Sequence, residues 1–124
     1  MIRPAVVALL AALVIFSCEG REEPEVPLAD SLEALFPLAD GFLNAALAIE
    51  EEGFDTAAWL VRVDAVPATH ELARRAKASL RRAVTAFGSY AVGRLPNDYA
   101  IAMDHYHRFE EIFGQILDEV MAQR

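Results

Sequence analysis

The sequence predicts an all-α domain, and two observations carry that reading. Apolar residues recur at steps of three and four through three long tracts, the period of one face of a helix. No window alternates with period two over five residues, and β-branched runs flanked by glycine are missing from the sequence. Proline and glycine separate the tracts into pieces of bundle length, so the expected architecture is an up-and-down antiparallel helical bundle at residues 29–124.

The first tract runs from about Ser31 to Glu52, with Asp30 as its cap and Glu33 three residues on, as a capping box requires. Leu32, Leu35, Phe36, Ala39, Phe42, Leu43, Ala46 and Ile49 form its stripe. The stripe keeps its phase across Pro37, which predicts one kinked helix and not two. Gly53 stands where a C′ glycine would end it. Asp55 is placed to cap the second tract, which Pro67 interrupts. Beyond that break Leu72, Ala76, Leu80, Ala83, Val84 and Phe87 line one side, with Arg74, Arg75, Lys77, Arg81 and Arg82 opposite. Gly88, Gly93 and Pro96 mark the exit. The third tract opens at Asn97 or Asp98 and runs to about Met121, with Tyr99, Ala102, Met103, Tyr106, Phe109, Phe113, Ile116, Leu117 and Val120 inward. The bundle has four helices if the tract broken at Pro67 folds into two arms, and three if it is one bent rod.

Charge agrees with this packing. The chain of 124 residues carries 11 Lys+Arg against 19 Asp+Glu, a net −8. Residues 18–55 and 98–124 are acidic and residues 62–94 are basic, which suits a basic helix held between acidic ones. The overall balance and an exported address both argue against nucleic acid as a partner.

The N-terminus reads as that address. Met1–Arg3 is basic, Pro4–Phe16 is apolar and Ser17 is small, the layout of a secretory signal. The apolar run falls short of the roughly 20 residues that a spanning helix needs. Ile15-Phe16-Ser17-Cys18 resembles the lipobox of bacterial lipoproteins. The resemblance covers residues 1–18 alone and implies removal of residues 1–17, with diacylglycerol and a further acyl chain on Cys18. It places the protein at the membrane of the bacterial cell envelope, facing the periplasm, and Glu19 after the cysteine resembles outer-membrane sorting. Residues 18–28, acidic and proline-bearing, then form a tether with nothing to bury.

Candidate sites are sparse. His105 and His107 lie two apart and diverge by about 200° on a helix, so they cannot share an ion within it. A His70–His105 pair across the bundle would provide haem or metal ligation, although there is no C-x-x-C-H for covalent haem. Asp104-x-x-His107 with Glu111 is the single fragment resembling a di-metal carboxylate set. Glu50, Glu51 and Glu52 oppose the dipole at a helix C-terminus, so a cation or a basic partner binds there, or arginines such as Arg74 and Arg75 fold back to neutralise them, or water suffices. The face carrying Arg74, Arg75, Arg81 and Arg82 is a second candidate partner surface, for anionic lipid head groups, against the plainer reading of a solvated basic face. No G-x-S-x-G, H-E-x-x-H or spare cysteine points to catalysis. The expected role is therefore a non-catalytic binding or scaffolding module with an envelope protein as partner, needing no cofactor beyond the Cys18 lipid; a haem or metal bundle using His70 and His105 is the alternative.

Overall fold

A computed structural model describes residues 24–124. The predicted signal segment, Cys18 and most of the tether lie outside the described residues. Within them the fold is all-α: α1 (Leu28–Leu47), α2 (Ile49–Glu52), α3 (Thr56–Asp64), α4 (Glu71–Gly93) and α5 (Pro96–Ala122). Among the described residues there is no strand, and no helix is long and apolar enough to cross a membrane.

Helix α1 starts one turn earlier than the capping box suggests. Pro27 precedes it and Asp30 lies in its first turn without capping it, because Leu28 and Ser31 are both drawn into the core. The helix continues through Pro37. The bond that proline removes would have used the Glu33 carbonyl, and both residues are exposed, so water can take its place. The tract does not run unbroken to Glu52, however. Ala48 forms a turn (φ −94°, ψ 10°), and α2 follows as a single helical turn ending at Gly53. That glycine has φ +72° and donates its N–H to the Ile49 carbonyl at 3.0 Å, a left-handed conformation in which a side chain would be strained.

Asp55 caps α3 as expected, its Oδ1 accepting from the Ala58 N–H at 3.0 Å. The tract interrupted at Pro67 becomes two arms, α3 and α4, so four helices of two turns or more build the bundle. Helix α4 does not stop at Gly88. It passes through that residue, buried against Thr56 of α3, and ends at Gly93 with Arg94 in the left-handed region at φ +57°. Helix α5 begins at Pro96, not at a side-chain cap from Asn97 or Asp98; proline suits the first helical position, where no N–H bond is lost.

Side-chain pairings set the helix directions. Phe36 meets Phe113 and Phe42 meets Tyr106, so α1 and α5 run antiparallel. Thr56 lies against Gly88 while Asp64 reaches Arg81, which makes α3 antiparallel to α4. Tyr90 meets Tyr99 across the Arg94-Leu95 turn that joins α4 to α5. The small inner residues Ala73, Ala76 and Ala83 of α4 are fully buried and let its neighbours approach closely.

Phe42 is the hub of the core. Fully buried, it packs edge-on against Phe54, Trp59 and Phe87 at 5.6–6.1 Å and stacks on Tyr106 at 5.4 Å. Further ring contacts link Tyr90, Tyr99, Phe109, Phe113 and Phe36, so every aromatic side chain of the described residues belongs to one connected set. Offset and edge-to-face pairs of this kind add about 0.5–1.5 kcal/mol each beyond the area they bury.

Polar ties close the entry pole. The fully buried Ser31 hydroxyl donates to the Pro67 carbonyl at 2.7 Å, and the Val26 N–H donates to Thr69 Oγ1 at 2.8 Å. The helix period places Lys77 on the basic face opposite the apolar stripe. Instead its ammonium donates to the carbonyls of Asp64 (3.0 Å) and Val66 (2.8 Å), placing a cation at the C-terminal end of α3, where the dipole favours it.

Candidate functional site

The histidines occupy separate places. His70 sits immediately before α4 and its Nδ1 accepts the Leu72 N–H at 3.1 Å, so this nitrogen is committed to capping. His105, half-buried on α5, faces Arg81, Arg82 and Ala86. Those positions lie 11–16 residues beyond His70, roughly 20 Å along α4. The two rings are therefore not brought together as an axial pair. His107 is exposed, and no group of three or more metal-ligating side chains converges among the described residues.

Among the charged residues, Glu50 is held by Arg94, whose guanidinium donates to its carboxylate at 2.8 Å. Arg94 does this from the left-handed turn, where its Nε also donates to the Ala91 carbonyl at 3.2 Å. Arg74 and Arg75 cannot neutralise the acidic triplet, because they lie near the start of α4, about 30 Å from Arg94 along the axis. Glu51 and Glu52 are exposed beside Glu50. Arg81 pairs with Asp64 at 3.5 Å, and both side chains are about half exposed, a geometry that contributes little stability. Arg81, Arg82 and His105 do share one open groove of about 470 Å³ floored by Leu60 and Ala86. Thr85 lies there too, but its hydroxyl is spent on the Arg81 carbonyl at 3.0 Å.

A different surface carries the stronger binding chemistry. Between α1 and α5 lies a groove of about 380 Å³ lined by Leu32, Phe36, Phe113 and Leu117, with Glu33 on its edge. Phe36 is 63% exposed, and Leu117 is 43% exposed. Leu43 and Leu47 continue the exposed apolar edge of α1, and Met121 that of α5. Periodicity alone places Leu32, Phe36, Leu43, Phe113 and Leu117 in the inward stripes, but the width of the stripe separates some of them. The stripe of α1 is wider than a single buried face requires, and Leu32, Phe36 and Leu43 fall together on one flank of it. The buried face is centred instead on Leu28, Ser31, Leu35, Leu38 and Phe42.

About two turns from Phe113 along the same α1–α5 seam, Tyr106 donates its hydroxyl to the Ala39 carbonyl at 3.2 Å. Burial pushes this phenol up to about pKa 12, helped by the nearby carboxylates of Glu110 and Asp40. Both acids thus sit at the α1–α5 seam. Among the described residues no cation lies within ion-pairing distance of Glu33, Asp40 or Glu110.

No known family model, curated protein or solved structure matches the chain. The functional reading therefore stands on the residues themselves.

Proposed function

We propose that this chain is an acylated envelope lipoprotein whose helical bundle acts as a non-catalytic binding or scaffolding module for an envelope protein. The open apolar groove of Leu32, Phe36, Phe113 and Leu117 carries this reading. A phenylalanine left 63% in water costs solvation that a docked partner would recover, and exposed contiguous apolar surface of this kind marks interaction sites. The lipobox-like Ile15-Phe16-Ser17-Cys18 supports the anchoring half. So does the way the chain enters the bundle: Pro24–Pro27 is non-helical and joins at the pole holding Thr69, His70 and Gln123. A tether there leaves the sides of the bundle open to a partner.

Two measurements test it. Intact-mass analysis of the protein isolated from a bacterial host is expected to show loss of residues 1–17 and added acyl mass. Cys18→Ala is expected to abolish the acyl mass and move the chain from the membrane to the soluble fraction. A wild-type chain retaining its first residues and bearing no acyl group would refute the anchoring.

A further inference from the structure

We propose that the α1–α5 groove receives a cationic amphipathic helix of the partner, with apolar side chains seated between Phe36 and Leu117 and Lys or Arg side chains meeting Glu33, Asp40 and Glu110. This deepens the binding-module reading and rests on it.

Shape argues first. The groove itself is about one turn long on each wall, Leu32 to Phe36 of α1 facing Phe113 to Leu117 of α5, and the exposed apolar edge of α1 runs on from it through Leu43 to Leu47, fifteen steps or about 22 Å in all. A groove continued by such an edge accepts a third helix presenting anchors at i, i+3 or i+4, and i+7.

Charge then selects the occupant. Helix α1 carries Asp30, Glu33 and Asp40 and no base; α5 carries six acids against one arginine. Asp40 adjoins Ala39, whose carbonyl takes the Tyr106 hydrogen bond, and exposed Glu110 lies one turn beyond Tyr106, so the two acids flank the α1–α5 seam from either helix and their fields add along it. Carboxylates that no cation of the described residues pairs, beside an apolar floor, favour a basic rim on the incoming segment and repel an acidic one. The same charges disfavour a second copy of this chain docked by twofold symmetry, because that would bring the same acidic rim of Glu33, Asp40 and Glu110 to both sides of the interface.

The test uses the full chain in phosphatidylcholine vesicles, with protein-free vesicles as the blank. The probes are fluorescent synthetic helices of about five turns: an amphipathic Leu/Lys peptide, its Leu/Glu counterpart, and a Leu/Lys scramble lacking a continuous ridge. The Leu/Lys helix is expected to bind at least tenfold more tightly than either control. The pair F36S and L117S, both at exposed positions, is expected to weaken it at least tenfold. D40N with E110Q is expected to weaken it about fivefold and to flatten its salt dependence. Equal binding of the Leu/Glu or scrambled peptide would overturn the proposal, as would indifference to both sets of substitutions. Sedimentation showing a dimer abolished by F36S would assign the groove to a second copy instead. Repeating the titration in solution with C18A separates the two readings: peptide binding retained there supports the groove whether or not the parent chain proves to be acylated, and peptide binding lost there with the parent still acylated overturns the groove alone.

Discussion

Gly88→Ala sets two effects of opposite sign against each other. In the interior of α4, alanine is favoured over glycine by about 1 kcal/mol, because the unfolded chain has less freedom to lose. At this position the added methyl would lie 2.9 Å from Cγ2 and 3.1 Å from Cβ of Thr56, and closer still to its hydroxyl oxygen. Thr56 cannot swing clear, since it is β-branched and its Cβ is fixed by the first turn of α3, directly after the Asp55 cap. Overpacking of this kind costs about 1–3 kcal/mol, and three close contacts place it toward the upper end. The net expectation is a loss of about 1–2 kcal/mol. With a urea dependence of about 1.5 kcal/mol/M, the unfolding midpoint falls by about 1 M. Trp59, the single tryptophan and a core residue, gives the fluorescence signal. Thr56→Ala in the same chain removes two of the three offending atoms and is expected to restore most of the loss, appearing as a coupling of about 1 kcal/mol in a double-mutant cycle. A Gly88→Ala protein as stable as the parent would refute the reasoning, because it would mean that α3 does not hold Thr56 against α4.

Three more outcomes follow from single side chains. Lys77→Met keeps the stem but removes both bonds to the α3 terminus, and is expected to cost about 1–2 kcal/mol in urea unfolding. Arg94→Gly relieves the left-handed backbone, worth about 1 kcal/mol, and gives up an exposed ion pair worth less; a gain of a few tenths of a kcal/mol or more is expected in thermal unfolding. Tyr106 retains its proton in the folded chain up to about pH 12 but releases it near pH 10 when unfolded. The folded state therefore binds more protons than the unfolded state in that window, and stability from this group is full below pH 10 and lost as pH rises toward 12. A phenolate absorbance titration of the parent minus Tyr106→Phe is expected to show a midpoint near 12, and the substitution to flatten the fall in stability between pH 10 and 12.

Local chemistry was the legible part. Asp55, Pro67 and Gly53 act within a few residues of themselves, and each does in the fold what its type and spacing imply. The start of α5 at Pro96 and the break at Ala48 are local departures, but the others involve partners distant in sequence. Asp30 resembles a cap until the burial of Leu28 and Ser31 pulls the helix start forward. Lys77 reads as one more surface cation because its two carbonyl partners lie 11 and 13 positions away. Gly88 looks like a terminus, whereas its missing side chain makes room for Thr56. The groove was hidden for a related reason: periodicity shows that Phe36 and Leu117 share a face with core residues, but the distance to the opposing helix decides which of them is covered.

The hub position of Phe42 implies that α1, α3, α4 and α5 stand or fall together. Its ring rests on residues from α3, α4, α5 and the α2–α3 connection. Peeling away any one of those segments would strip the same ring and propagate through the set. Limited proteolysis should yield either the intact domain or small peptides, with no stable sub-fragment between, and extra sequence should be tolerated at the two poles while being rejected along the shaft.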